Sequence, residues 1–285
     1  MTAPATTRPV GVDELRRAWI AVQAGDFRHP THRTHPRQPT QPALPQRSAA
    51  EVGTAQVWAP APGEVVVPVV GATGSCGATT LSLALATAAG RVARVVECAS
   101  ASTSGLVAAS STELGTDDHG WVHGARDGVR LARAEGTHRL PDRVPAPPPA
   151  DTPLVSVVDI GSQVEQVVTG EGWLTRLLTD APAVVLVTRA TVPGLRRLEC
   201  CLHLIGPDRA LVAVLGPPRR RWPRPVADSA GPLTTAVIDA GRLVDIPEDH
   251  RLAIHGLTPD PLPAPLLAKA AALLPLIEGT THHDR

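Results

Sequence analysis

Val69-Val-Gly-Ala-Thr-Gly-Ser-Cys-Gly-Ala-Thr-Thr80 follows an apolar run of strand length and leads into Leu81-Ser-Leu-Ala-Leu-Ala86, a helix-forming run. Glycines between a strand and a helix let backbone N–H groups approach an anion closely. The helix N-terminus adds unpaired donors and a favourable dipole. The hydroxyls of Thr79 and Thr80 stand at the helix start. Gly74, Ser75, Cys76, Gly77, Ala78, Thr79 and Thr80 therefore read as a phosphate cradle. Cys76 lies within it, where a helix N-terminus lowers a thiol pKa and makes it reactive.

Outward from this loop, apolar runs alternate with helical patterns. The runs are Val65 to Val70, Val92 to Glu97, Leu154 to Asp159, Ala183 to Thr188, Ala210 to Leu215 and Gly241 to Ile246. Helices are expected between them, notably Thr79 to Ala89 and Val192 to Ile205, with a last helix near Pro265 to Ile277. Buried strands alternating with helices predict an α/β three-layer sandwich, a mostly parallel sheet with helices on both faces. Pro68 suggests that the paired part of the first strand starts near Val69. Pro141 to Pro153 reads as a proline-rich loop.

The ends of the chain differ in texture. Residues 28–63 are rich in Pro, Thr, Gln and Arg and predict a disordered linker, its His29, His32 and His35 solvated. Before it, Val12, Leu15, Trp19, Ile20 and Val22 recur at helical spacing. Residues 1–27 thus read as a helical arm, and 12–24 either packs on the protein's own core or docks a protein partner. Residues 64–279 form the main domain and 280–285 a frayed tail.

The 285 residues carry zero formal net charge. Nucleic acid is not indicated as a partner. No apolar stretch is long enough to span a bilayer, and without a signal pattern the expectation is a cytoplasmic protein. The four cysteines lack CxxC spacing, so structural zinc is not expected. Tyr is absent and Lys269 is the sole lysine, as coding bias in a GC-rich bacterium produces. His119, His123 and His138 read as scattered surface histidines, and Cys200 and Cys201 as core residues of a helix.

Two families of ligand fit the loop. Gly71, Gly74 and Gly77 give a GxxGxxG spacing, and Glu97 ends the next strand about twenty residues on, where a dinucleotide fold puts a ribose-binding acid. Without a Tyr–Lys pair that would be a non-catalytic NAD(P)-binding protein. The loop also resembles the deviant Walker A loop of the MinD/ParA family of P-loop ATPases. In that alignment Thr73 stands at the signature lysine, Ser75 at a glycine, Gly77 at the last glycine, Ala78 at the phosphate-binding lysine, and Thr79 and Thr80 at the hydroxyl positions. It also looks like the CpaE-like, septum-site-type branch found in actinobacteria. Leu154-Val-Ser-Val-Val-Asp-Ile-Gly161 resembles that family's Walker B strand, Val184 to Pro193 its next core strand, and Asp245-Ile-Pro-Glu-Asp to Gly256 its late loop near the base. These later motifs favour the P-loop reading.

The resemblance implies ATP and Mg²⁺ as ligands, with Thr79 and Asp159 holding the metal, and a homodimer across the nucleotide. Glu97 stands where the family has an acid that positions water or a switch; it is the catalytic candidate, its plain alternative a solvent-facing strand-end carboxylate. Arg189, Arg196 and Arg197 in one cluster, and Arg219, Arg220, Arg221 and Arg224 in another, are placed to supply the missing positive charge. Trp222 either stacks a base or caps the core. The functional expectation is a nucleotide-binding pseudo-ATPase, weakly hydrolytic or inactive, that acts as a switch or scaffold in positioning, secretion or mobile-element biology. The alternative is an interaction protein with a vestigial loop.

Overall fold

The computed structural model describes residues 58–137, 140–149 and 155–282, with side chains to 279. The expected arm at 12–24, the linker as far as 57, and His138 lie outside them. The elements, in chain order, are β1 (Val65–Gly71), α1 (Ala78–Ala88), β2 (Ala93–Glu97), β3 (Thr112–Thr116), β4 (Trp121–Arg126), β5 (Val129–Ala134) and β6 (Val155–Asp159). There follow α2 (Val164–Val168), α3 (Trp173–Asp180), β7 (Val184–Arg189), α4 (Val192–Ile205), β8 (Ala210–Leu215), α5 (Arg224–Ala227), α6 (Pro232–Asp239), β9 (Leu243–Ile246), α7 (His250–His255) and α8 (Ala264–His282).

The strands form one nine-stranded sheet in the order β3-β4-β5-β2-β6-β1-β7-β8-β9. From β5 to β9 all neighbours run parallel. Each parallel strand is apolar on both faces, so successive residues enter different cores. Val70, Val96, Val158 and Leu186 join α2 to α4 and α6 on one face. Val69, Val95, Val157 and Val185 join α1 and α8 on the other. Such two-sided burial is what a continuous Val/Leu run records. Helix α1 packs between the sheet and α8, and its Leu81 to Ala86 are all buried. This explains why it is apolar all round rather than amphipathic.

Two local expectations are corrected. Pairing of β1 with β6 begins at Val65, with Pro68 in register with Val158. The proline is tolerated because pairing with β7 begins only at Val69, so its missing N–H falls short of that ladder. Cys200 is exposed, whereas Cys201 is buried; adjacent helix residues point about 100° apart, and only one can face the sheet.

The antiparallel β3–β4–β5 unit was not foreseen. Asp127 and Gly128 both have positive φ, 48° and 79°, and connect β4 to β5 as a two-residue Asp-Gly hairpin turn. Trp58 packs its ring on Trp173 with centroids 5.3 Å apart. Just after it, Glu64 is held inside the protein by Arg94 at 2.9 Å and accepts from Ala61 N–H at 2.8 Å.

Candidate functional site

In a parallel sheet, ligands bind beyond the carboxyl ends of the strands. Here the ends of β1, β6, β7, β8 and β9 open into a cleft of about 1020 Å³. The whole stretch Gly71 to Thr80, apart from the buried Ala72, lines it. Gly77 caps α1 with φ 93°, and no side chain caps the helix. The left-handed φ favours glycine there, and a Cβ at Gly77 would also lie a tight 3.2 Å from the Leu215 side chain. The first turn of α1 holds no acidic residue. The N-terminal amides and the positive end of the dipole thus face the cleft, and the helix's own first turn brings no carboxylate to neutralise them.

Asp159 ends β6 and is 1 % exposed. The Thr79 hydroxyl and Gly161 N–H lie close enough to lower its pKa, while its Oδ2 has no partner. Burial, reinforced by the nearby Glu97 charge, pushes its carboxyl up to about 7 despite those two polar neighbours. An orphaned buried carboxylate oxygen beside a hydroxyl is a donor set suited to a hard cation such as Mg²⁺. That ion takes few protein oxygens and completes its shell with water and phosphate. Thr79 and Asp159 are therefore adjacent and fit such an ion. Among the described residues no cluster of three or more His, Cys, Asp or Glu suits a metal, so any ion here depends on its ligand's phosphates.

Glu97, at the end of β2, is fully buried rather than solvent-facing. It accepts from Ser104 Oγ and from the N–H groups of Gly105 at 2.8 Å and Leu106 at 3.4 Å. Burial raises its pKa in spite of these bonds. It anchors the 98–106 loop and is not among the residues lining the cleft. Its oxygens are committed to loop donors, which counts against a ribose contact and hence against dinucleotide binding. Gly105 backs onto Thr79, where an added Cβ would lie 3.2 Å from Cγ2. The anchored loop therefore abuts the cradle.

Cys76 is 2 % exposed, and burial raises its pKa, outweighing the lowering by the Thr73 and Ala78 backbone. The expected reactive thiol is corrected: the side chain turns into the core below α1, and only the loop backbone faces a ligand. The arginine clusters are corrected too. Arg189 alone of them lines the cleft, where it pairs with Glu248. Arg197 pairs with Glu165 at 2.8 Å, and Arg196, Arg219, Arg220, Arg221 and Arg224 are exposed outside the cleft. Trp222 is buried and donates from Nε1 to the Pro217 carbonyl at 3.0 Å; it caps the core and offers no face to a base.

No family model matches the chain, and no curated protein matches it in sequence. Solved structures are similar to it in fold. One is the cell-division ATPase MinD of Pyrococcus furiosus, 17% identical, with TM-score 0.46, covering 75% of this chain and 99% of that one. A second is a ParA family ATPase of Chlorobium tepidum TLS, 13% identical, TM-score 0.44, covering 76% and 99%. A third is a plasmid partition protein of Borrelia burgdorferi B31 bound to AMPPNP, 10% identical, TM-score 0.44, covering 76% and 98%.

The cleft also contains residues that the sequence reading passed over. Ser162, Gln163 and Gln166 come from the segment after Asp159, and Ser100 and Thr103 from the segment after Glu97. Gly161, at φ 64°, lies so close to Ala99 that a Cβ would meet its Cα and N at 2.7 Å. That contact locks the two segments together at the cleft wall. The only signal for them was their position just beyond predicted strand ends. Among the described residues, no helix is long and apolar enough to cross a membrane.

Proposed function

We propose that this protein binds a nucleoside di- or triphosphate with Mg²⁺ at the Gly71 to Thr80 loop and hydrolyses it slowly or not at all. One observation carries the reading. The buried Asp159, with an unpartnered Oδ2, stands against Thr79 at the first turn of a helix whose N-terminus no side chain caps. An unpaired buried carboxylate oxygen is costly; a cation between it and a phosphate removes that cost. Backbone amides from Gly74 to Thr80 hold the phosphate oxygens, and Thr79 and Asp159 hold the ion, which offsets phosphate charge.

Weak turnover follows from what the cleft lacks. Ala78 occupies the position from which a P-loop lysine reaches the terminal phosphates. Lys269 is exposed on α8 and does not line the cleft. Glu97, the expected water-positioning acid, accepts from the Gly105 and Leu106 N–H groups and the Ser104 hydroxyl. A protein that binds nucleotide without consuming it serves as a switch or scaffold, in positioning, secretion or mobile-element biology.

Calorimetry of the intact protein with ATP, ADP and GTP tests this. The expected result is Mg²⁺-dependent binding, abolished by EDTA and weakened at least tenfold by Asp159→Asn, with phosphate release near background. Absence of binding by any of the three with Mg²⁺ present overturns it.

A further inference from the structure

We propose that Arg189 supplies the phosphate-binding charge that the loop itself lacks, and that Glu248 holds it in reserve until a polyphosphate arrives. This rests on the nucleotide reading above and adds to it a named cation and a competing anion.

Four charged residues line the cleft among those described: Asp159, Arg189, Glu248 and Asp249. Arg189 is the one cation. A triphosphate entering this cleft meets three carboxylates and a single guanidinium. Backbone amides and Mg²⁺ reduce the repulsion, but the other protein charge of favourable sign has to come from Arg189.

Its position fits that task. β7 is the neighbour of β1, and Gly71 is in register with Val187. Ala72 N–H donates to the Val187 carbonyl at 2.8 Å, which extends the ladder into the loop. Arg189 ends β7 two residues beyond Val187, and it lines the same cleft as the loop. A guanidinium on a long, flexible stem reaches phosphate oxygens from such a site and can engage two of them at once.

Its present partner is easily exchanged. Arg189 and Glu248 are 38% and 42% exposed, and each is the other's ion-pair partner. Pairs of this exposure contribute little to stability, so opening one costs little. Glu248 follows β9 through Pro247, and Asp249 beside it is occupied in capping α7, accepting from Leu252 N–H at 3.0 Å. The two sides of the cleft thus meet at a weak ion pair. A polyphosphate competes with one carboxylate for one guanidinium.

The prediction has opposite signs at the two residues, which a merely structural pair would not produce. With Mg²⁺ present, Arg189→Ala weakens ATP binding by roughly tenfold or more and AMP binding far less. Arg189→Lys lies between, since it keeps the charge and loses the fork. Glu248→Gln strengthens ATP binding by about two- to fivefold. Calorimetry at fixed ionic strength, on variants whose melting temperatures match the parent's, reads all of these. If the parent binds ATP and Arg189→Ala binds it equally well, the inference falls while the nucleotide reading stands. If Glu248→Gln weakens binding as Arg189→Ala does, the pair is a brace and the inference falls. If the parent binds no nucleotide, both fall together.

Discussion

Glu97 and Asp159 stand opposite each other in the parallel ladder of β2 and β6, and both are withdrawn from water. The protein treats these neighbouring carboxylates differently. Glu97 is surrounded by donors from residues 104–106, and Arg133, its register partner on β5, lowers its pKa. Asp159 keeps one oxygen unpartnered. Environments that separate two like groups also separate their roles: one anchors a loop, and the other is left for a ligand.

The first prediction concerns pH. Asp159 titrates near 7 in the folded protein and near about 3.9 when unfolded. Between those values the folded state holds a proton that the unfolded state has lost. This contribution is therefore complete at the acidic end, declines as pH rises toward 7, and is flat above. Its slope approaches about 1.4 kcal/mol per pH unit within the window. Asp159→Asn should show a shallower fall in melting temperature between pH 5 and 8. Mg²⁺ should raise the parent's melting temperature at pH 8 more than at pH 6, because the ion requires the ionised carboxylate. Parallel curves for parent and variant would contradict the assignment.

Replacing Glu97 separates its charge from its anchoring. Glu97→Gln removes the repulsion, so Asp159 should titrate at lower pH, as read by carboxyl carbon NMR. Glu97→Ala also leaves the Gly105 and Leu106 donors without an acceptor, at an expected cost of about 2–4 kcal/mol. Proteolysis should then appear first in the 98–106 segment. An unmoved Asp159 titration in the glutamine variant would show that the two groups are not coupled.

Ser75 carries a cost that glycine would relieve. Its φ is 55°, a left-handed conformation that disfavours a side chain by about 1–2 kcal/mol. The resemblance places it where the P-loop pattern has glycine. Ser75→Gly gains by relieving that conformation and loses some through a freer unfolded chain. A net stabilisation of roughly 0.5–1 kcal/mol, or about 1–4 °C in melting temperature, is expected. A lowered melting temperature would mean that the serine side chain makes a stabilising contact.

Near the amino-terminal ends of the central strands, away from the cleft, Arg94 donates to Ser156 Oγ at 2.6 Å, to the Pro148 carbonyl at 2.9 Å and to Glu64 at 2.9 Å. The Glu64 side chain is fully buried. Glu64→Ala leaves the guanidinium buried and uncompensated, with an expected loss of about 3–5 kcal/mol in urea unfolding. The double variant Glu64→Leu with Arg94→Met should recover most of it, since burial of the charges is what costs. If the double variant is as unstable as the single one, shape rather than charge governs the site.

Much of this architecture was legible in the chain. The six apolar runs all contain strands, because a parallel strand buried on both faces reads as a near-continuous apolar run. The helix after the loop was legible for a related reason: it lies between the sheet and α8, and its middle, Leu81 to Ala86, is buried and almost wholly apolar. The antiparallel unit escaped notice although Asp127-Gly128 marks its turn. Its strands are mixed in character, with β3 wholly exposed and Arg126 and Arg133 buried, so their pattern does not alternate cleanly.

The loop itself marks the boundary of what sequence can decide. Its glycines, its place between strand and helix, and the absence of a lysine were determined by the sequence, because backbone conformation and residue type are local properties. Which side chains share its cleft was decided only by the tertiary structure. The cysteine inside the motif turned into the core, and the acid one strand away turned into its own loop. Of the seven arginines proposed, only Arg189 lines the cleft. Side-chain direction at a strand end depends on register with neighbours far apart in the chain, such as Gly71 with Val187 and Glu97 with Asp159, and register exists only once the sheet has formed.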